Sequence, residues 1–185
     1  MILHIRPASL DDVGAIVEVA VAAWEVGFRG ILPEYIDPRD AWDPDRVRAR
    51  FSQQGGEVRR AVAELDGEIK GFVVFGPTRD TRAPRSIGEI WVLDVHPRAW
   101  RRGIGRALVA HALRTLRRAG LHEVTLWTPA ESDRARSFYE ACGFRHDHAA
   151  QRRESFGGAL EVRYRISLGE PGGHHDASSG THPPA

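Results

Sequence analysis

The sequence predicts an α/β fold built on a mixed sheet, with helices on both faces of that sheet. Apolar runs rich in β-branched and aromatic residues alternate with segments whose apolar residues recur every three or four positions. A helix predicted at 103–119 joins two of these runs and favours a parallel strand pair, because parallel strands need such a crossover. The pair Asp66-Gly67 separates the runs 58–65 and 68–75 and favours an antiparallel hairpin.

The chain is predicted to begin with a short strand at 2–6 and a first helix. Ser9 and Asp12 have the spacing of a capping box, and an apolar helical face continues from there to about residue 25. Residues 27–40 mix aromatic, apolar and helix-breaking residues without a period. We expect this segment to be irregular chain, either a packed loop or the wall of a ligand site.

The next segment is predicted to contain a second helix, the hairpin and a buried strand. The helix begins after Asp43, which is followed by proline, and runs to about Gln54. The hairpin at 58–75 leads into an exposed loop at 76–86, which contains two prolines and four charged residues. Residues 87–95 then form a strand rich in β-branched and aromatic residues.

The last part of the chain is predicted to complete the sheet. The elements after the central helix are a strand at 123–128, a helix from Ser132 or Asp133 to Cys142, and strands at 144–149 and 159–168. Residues 169–185 are rich in Gly, Pro, Ser and His and hold nothing apolar to bury. We therefore expect one domain at 1–168, followed by a disordered tail.

The stretch from Val95 to Leu108 passes from the buried strand through a basic, glycine-bearing loop into an amphipathic helix. Gly103 and Gly105 allow the backbone to approach a ligand, and the first N–H groups of the helix favour an anion such as a diphosphate. Neither the P-loop pattern nor the dinucleotide-binding fingerprint fits this stretch. The alternative is a plain strand-to-helix connection with solvated arginines.

This stretch resembles the acyl-CoA-binding motif of the GNAT superfamily of N-acyltransferases, in which V-x-P closes the fourth strand and [QR]-x-x-G-x-[GA] opens the next helix. The residues that match are Val95, Pro97, Gly103 and Gly105. Trp100 stands in the [QR] place and departs from the pattern. Residues 135–144 resemble the A-x-x-F-Y-x-x-x-G-F motif of the same family. The resemblance implies acetyl-CoA as co-substrate and a sheet that splays between its fourth and fifth strands to admit the pantetheine arm.

The resemblance implies catalytic roles for two residues. Glu89 stands in the place of a general base that accepts a proton from the substrate ammonium, and Tyr139 in that of the acid that protonates the leaving thiolate. The alternatives are a carboxylate that faces solvent or pairs with an arginine, and a tyrosine that packs on an apolar helix face. Ser132 stands where many family members have asparagine. The predicted cofactor-binding residues are Leu93, Asp94, Val95, Arg101, Arg102, Gly103, Ile104, Gly105, Arg106 and Ser132.

The resemblance also implies an acceptor site around the end of the first helix and the irregular segment after it. The candidate substrate-binding residues are Trp24, Phe28, Arg29 and Tyr35, with ordinary packing as the alternative for each aromatic. We therefore predict an enzyme, an acetyl-CoA-dependent N-acetyltransferase that transfers acetyl directly to a primary amine of a small molecule or peptide. A non-catalytic module that senses acyl-CoA is the alternative function.

Composition argues against several other functions. The chain has 26 Lys and Arg against 25 Asp and Glu, a net charge of +1, so we expect no nucleic-acid or membrane partner. Cys142 is the single cysteine, and no signal-peptide pattern or long apolar run is found, so we expect a cytoplasmic protein. The histidines of the tail lack a fixed geometry, and no metal is expected. Homodimerisation is left open.

Overall fold

The computed structural model describes residues 2–53 and 56–169 and contains a seven-stranded sheet. Its strands are β1 (Leu3–Pro7), β2 (Arg59–Leu65), β3 (Glu68–Pro77), β4 (Ile87–Val95), β5 (Glu123–Pro129), β6 (Arg145–Arg153) and β7 (Ala159–Ser167). Its helices are α1 (Val13–Gly27), α2 (Pro38–Ala41), α3 (Pro44–Gln53), α4 (Ile104–Arg118) and α5 (Asp133–Ala141). The strand order is β1-β2-β3-β4-β5-β7-β6, with β4 and β5 parallel and the other neighbours antiparallel. The predicted mixed α/β sheet is confirmed.

Two apolar clusters place helices on opposite faces of the sheet. On one face, Leu108 and Ala112 of α4 pack with buried residues of several strands, among them Val73 and Ile90. On the other face, Ile16 and Val19 of α1 pack against the centre of β2 and β3. Burying both faces in this way is what a mixed sheet with a helical crossover requires.

The first helix begins at the capping box that the sequence predicts. The Ser9 N–H donates to the Asp12 carboxylate at 2.7 Å, and the Arg6 guanidinium donates to both Asp12 oxygens at 2.7 and 2.8 Å. Arg6 also donates to Glu64 at 2.8 Å and so ties β1, β2 and the start of α1 together. The bonds from Arg6 lower the pKa of Asp12 to about 2.

The segment 27–40 differs from its predicted irregular conformation. It contains most of the short helix α2, which begins at Pro38. The Asp37 carboxylate accepts a hydrogen bond of 2.8 Å from the Arg39 N–H and caps the helix. The prediction of irregular chain is therefore wrong for residues 38–40, where a cap followed by proline starts a helical turn.

Strand β6 extends beyond its predicted end at residue 149 and reaches Arg153. Its pairing with β7 is interrupted between His146 and Ala150, and His148 has a φ of 67°. Such a bulge breaks the alternation from which a strand is recognised in sequence. Of the predicted tail at 169–185, all but Gly169 lies outside the described residues.

Strand β4 contains the irregularity that opens the sheet. Val92 pairs with Val74 and Ile90 with Phe75, so Trp91 bulges between them. The parallel pairing of β4 with β5 runs from Ile87 to Ile90 and does not continue along the rest of β4. A bulge bends its strand and increases its twist, and here it coincides with the point where β4 and β5 separate.

Candidate active site

A cavity of about 1480 Å³ lies along the separated half of β4. Its lining includes residues of α4 and α5 and residues of α1, α2 and α3. The predicted site residues that line it are Trp24, Phe28, Tyr35, Leu93, Asp94, Val95, Arg101, Gly103, Ile104, Gly105, Arg106, Ser132 and Tyr139. Glu89, Arg29 and Arg102 are described by the structure but are not part of this lining.

The start of α4 is an open, basic helix N-terminus. Gly103 has a φ of 82°, and a Cβ there would meet no atom within 4 Å. The first helical bond of α4 runs from the Ala107 N–H to the Gly103 carbonyl at 3.0 Å, so the preceding N–H groups have no partner within the helix. Arg101 and Arg106 are exposed beside them. Free amides and guanidinium groups around open space fit a diphosphate.

Gly105 allows α5 to pack closely against the start of α4. A Cβ at this position would lie 3.0 Å from the Phe138 ring and 3.8 Å from Val95. Because only a glycine leaves this space, α5 can approach the α4 N-terminus and place Tyr139 on the same cavity.

Trp100, which departs from the family pattern, is held by two contacts. Its indole N–H donates to the Val95 carbonyl at 2.7 Å, and the Arg134 guanidinium lies 3.7 Å from the centre of its ring. Arg134 belongs to α5 and also reaches α1, since a Cβ on Gly27 would lie 3.2 Å from its Nη2 atom. Burial lowers the pKa of Arg134. The Arg134 guanidinium of α5 therefore contacts Trp100, which stands where the family pattern has Gln or Arg.

The exposed edge of β4 can accept an extended ligand. Leu93, Asp94 and Val95 pair with Val73, Phe72 and Gly71 of β3 on one side. On the other side the pairing with β5 has ended at Ile90. A strand edge without a partner is suited to bonding with the amide groups of an extended arm. The Val95 carbonyl is already engaged by Trp100.

Glu89 is a buried carboxylate held by one arginine. Its side chain is 2% exposed and accepts hydrogen bonds from the Arg79 backbone N–H at 2.8 Å and from Arg79 Nε at 2.9 Å. A third bond comes from Arg79 Nη2. The Arg79 guanidinium carbon also lies 5.1 Å from the centre of the Trp91 ring. The pairing with an arginine that the sequence left open is therefore present, and a role for Glu89 as base stays a prediction.

Tyr139 and Ser132 place two hydroxyl groups on the cavity. Tyr139 is 9% exposed and packs edge-to-face on Phe138 and Phe144, with ring centres 5.2 and 6.0 Å away. Burial raises the pKa of its phenol above the usual value, and the nearby Asp94 charge raises it further. Ser132 precedes α5 and is buried, and its side chain does not cap the helix.

One region of the cavity, the aromatic end, is lined by Trp24, Phe28 and Phe156. Trp24 packs edge-to-face against Phe28 and against Phe156 of the β6–β7 connection, with ring centres 5.3 Å away in both cases. Tyr35 is 78% exposed. The cavity lining also includes Arg46, Arg50, Arg60 and Arg153. Arg29 instead borders a smaller adjoining depression.

Several lining residues were not predicted from the sequence. Arg79 and Arg134 reach the cavity from a loop and from the exposed side of a short helix, and Phe156 comes from a distant turn. None of them stands in a motif that marks a site. In the described ranges, no group of three or more His, Cys, Asp or Glu is arranged to hold a metal ion. No helix within those ranges is long and apolar enough to cross a membrane.

The sequence motifs, the separated strands and the open helix N-terminus converge on one family. The family model of the GNAT acetyltransferases matches residues 24–144. The chain belongs to the GNAT acetyltransferase family. The predicted family and fold are thereby confirmed, and the GNAT match includes both motifs on which the sequence prediction rests.

Relatives extend this assignment without identifying the acceptor. A mycothiol acetyltransferase of Amycolatopsis mediterranei is 31% identical over 122 residues, which are 60% of this chain and 40% of that protein. The chain spans less than half the length of each mycothiol acetyltransferase it matches here.

Two solved structures resemble this chain over most of its length. The PaiA N-acetyltransferase of Thermoplasma acidophilum, solved with coenzyme A, has a TM-score of 0.72 at 20% identity and covers 90% of this chain and 100% of its own. YncA of Salmonella typhimurium, solved with acetyl-CoA, has a TM-score of 0.73 at 23% identity and covers 94% and 98%. At these identities the likeness concerns the fold.

Proposed function

We propose that this acetyltransferase moves an acetyl group directly from acetyl-CoA to a primary amine. The observation that carries the proposal is the continuity of one cavity from the open α4 N-terminus, along the free edge of β4, to Tyr139 and the aromatic end. Family membership supplies the reaction class. The structural neighbours solved with coenzyme A and acetyl-CoA support the choice of donor.

The residues at the α4 end fit the phosphate-bearing part of the donor. The free N–H groups after Gly103 would bind the diphosphate, with Arg101 and Arg106 alongside. The edge of β4 at 93–95 would bind the extended arm through its backbone groups. Ser132 would offer its hydroxyl in place of the family's usual asparagine amide.

Acetyl-CoA supplies an activated thioester, and the chain supplies orientation and proton transfer. The Tyr139 hydroxyl makes no hydrogen bond to any residue that the structure describes, and its raised pKa keeps it protonated at neutral pH. It is therefore available to donate a proton to the departing sulfur. Two carboxylates of β4, Glu89 and Asp94, are the candidates for removing the proton from the amine.

The acceptor class follows only from relatives and from the shape of the aromatic end. Mycothiol acetyltransferases are among the relatives, so mycothiol lacking its acetyl group belongs in any substrate panel. The aromatic end and the arginines of the cavity lining suit a small molecule or a flexible peptide end better than a rigid protein surface.

The experiment is the release of free coenzyme A, followed with a thiol reagent, in the presence of a panel of amines. Small amines, amino acids, aminoglycosides, peptides with free N-termini and the deacetylated mycothiol are compared with a no-amine control. Release that depends on an amine, with a stoichiometric acetylated product by mass spectrometry, supports the proposal. Tight binding of acetyl-CoA without amine-dependent release across the panel would favour the non-catalytic sensing module.

A further inference from the structure

Asp94 is a carboxylate on the cavity wall without a bonding partner. Within the described ranges, its side chain accepts no hydrogen bond and forms no ion pair, although it lines the cavity on the separated half of β4. Two other carboxylates, Glu89 and Glu161, are by contrast paired with arginines. Glu89 is held by Arg79, and Glu161 lies 2.7 Å from Arg153 Nε.

Partial burial without a partner raises the proton affinity of this carboxylate. Desolvation raises the pKa of Asp94 to about 7. A carboxyl group that titrates near neutrality is both free to accept a proton and able to release it to water. Glu89 lacks this freedom, since three donors from Arg79 already occupy its oxygens.

The bulge in β4 places Asp94 on the face of the sheet that packs against α1. Ile90 and Leu93 both pack in the cluster under α4, although they are three residues apart, because the bulge at Trp91 resets the alternation of the strand. Val92 accordingly packs in the cluster under α1, and Asp94 follows it two residues later, opposite Phe72.

Asp94 lies within electrostatic reach of Tyr139, since its charge contributes to the raised pKa of that phenol. On β3 it is opposite the apolar Phe72, and α1 contributes the apolar Ile16, Ala23 and Trp24 to the cavity lining. The other charged side chains that line the cavity are Asp37, Asp40, Arg46, Arg50, Arg60, Arg79, Arg101, Arg106, Arg134, Arg153 and Glu161. Cys142, beside Tyr139 on α5, is the other titratable group close by.

We propose that Asp94, rather than Glu89, accepts the proton of the acceptor's ammonium group, and that Glu89 positions Arg79 at the cavity wall. This inference rests on the proposed acetyl transfer. It makes Asp94 and Tyr139 an adjacent base and acid, with the base on the amine side and the acid on the sulfur side of the reacting carbonyl.

The proton balance of the transfer is complete with these two groups. Asp94 takes one proton from the ammonium, and the freed nitrogen lone pair forms the N–C bond while the C–S bond breaks with its electron pair on sulfur. Tyr139 gives its proton to that sulfur and recovers one from the new amide nitrogen. Asp94 then releases its proton to water.

The test compares Asp94→Asn with Glu89→Gln, using an amine found in the coenzyme A release assay. We expect kcat of the unmodified enzyme to rise with pH through a step near 7, and the step to stay there when an amine of different pKa is used. Asp94→Asn should lower kcat about 100-fold and remove the step. Glu89→Gln should keep the step near pH 7, and Asp94→Glu should restore it at reduced kcat.

A second readout does not depend on turnover. In protein labelled with ¹³C at its carboxyl groups, we expect one aspartate signal to titrate near pH 7 in the absence of any ligand and to be missing in Asp94→Asn. If kcat of Asp94→Asn stays within about threefold of the unmodified enzyme, or if Glu89→Gln removes the pH step, the assignment to Asp94 is overturned. If no amine is acetylated while the carboxyl signal is present, the proposed function fails instead.

Discussion

Two carboxylates five residues apart on β4 differ in what surrounds them, and that difference decides their chemistry. Glu89 lies where β4 is still paired with β5, opposite Thr125, and its oxygens are taken by Arg79. Asp94 lies where the pairing has ended and borders the cavity. The position of Glu89 in the sequence indicated a carboxylate near the thioester. The choice between Glu89 and Asp94 depends on Arg79, a loop residue that no motif marks.

At Tyr139, substitution by phenylalanine removes only the hydroxyl and leaves the packing on Phe138 and Phe144. If this hydroxyl protonates the leaving sulfur, Tyr139→Phe lowers kcat by about 100-fold and leaves the Kd for acetyl-CoA nearly unchanged. Steady-state kinetics and calorimetric titration of the same preparation measure both quantities. An unchanged kcat would show that the sulfur leaves without help from Tyr139.

Arg101 is predicted to contribute to donor binding through its charge beside the α4 N-terminus. Arg101→Gln should weaken the Kd for coenzyme A about tenfold and reduce its dependence on salt, since one charge-assisted contact is lost. Arg114→Gln is the matched control, because Arg114 is exposed on the same helix but lies more than two turns from its start. Equal weakening by both variants would mean that only the overall charge matters.

The bonds around Asp12 predict a pH-dependent contribution to stability. Its pKa is lowered to about 2 in the folded protein, so the carboxylate stabilises the fold above its ordinary pKa of about 4, and that stability is lost as the pH falls from 4 to 2. Asp12→Asn should therefore lower the free energy of unfolding at pH 7 by about 2 kcal/mol. The difference should shrink towards pH 2 in denaturant titrations. A constant difference at all pH values would contradict the ionic origin.

Among the elements, the β6–β7 connection and the chain after α1 pack on each other and line one region of the cavity. Gly157 has a φ of 64°, and a Cβ there would lie 2.6 Å from Pro33 and 2.7 Å from the Tyr35 hydroxyl. These contacts are too close for any side chain. The two irregular segments are thus held together at a point where only glycine fits.

This contact predicts a selective effect of Gly157→Ala on the acceptor site. The variant should raise KM for the amine several-fold, because the segment that carries Tyr35 must move, while the Kd for acetyl-CoA stays the same. Gly158→Ala is the control, since Gly158 has a φ of 78° but a Cβ there meets nothing within 4 Å. Both substitutions place a side chain at a positive φ and so introduce similar backbone strain. If the two variants have equal KM values for the amine, the acceptor does not bind next to the contact at Gly157.

The elements with a regular apolar period could be predicted from the sequence, and those without one could not. Strand β4 and helix α4 follow from β-branched runs and from apolar residues at helical spacing, and the loop between them carries the GNAT motif. The extension of β6 to Arg153 was missed because this strand is polar and bulged at His148. The contacts of Arg134 with Trp100 join segments distant in sequence, so no local pattern encodes them.

At the scale of the whole molecule, the fold leaves one strand pair incomplete, and the cavity lies along the unpaired half of β4. Parallel β4 and β5 are joined by α4, which directs its N-terminus towards the end where the two strands separate. The bulge at Trp91 begins that separation, and α5 borders the opening through the close approach at Gly105. The other neighbouring strands of the sheet are paired antiparallel on both sides of this opening.

The most direct test of this account is a crystal structure of the chain with coenzyme A. We expect the diphosphate on the backbone amides that follow Gly103, with the pantetheine arm along β4 at residues 93–95 and the sulfur beside Tyr139. Coenzyme A bound with its diphosphate away from α4, or an opening between β4 and β5 that stays empty at saturating ligand, would contradict the account.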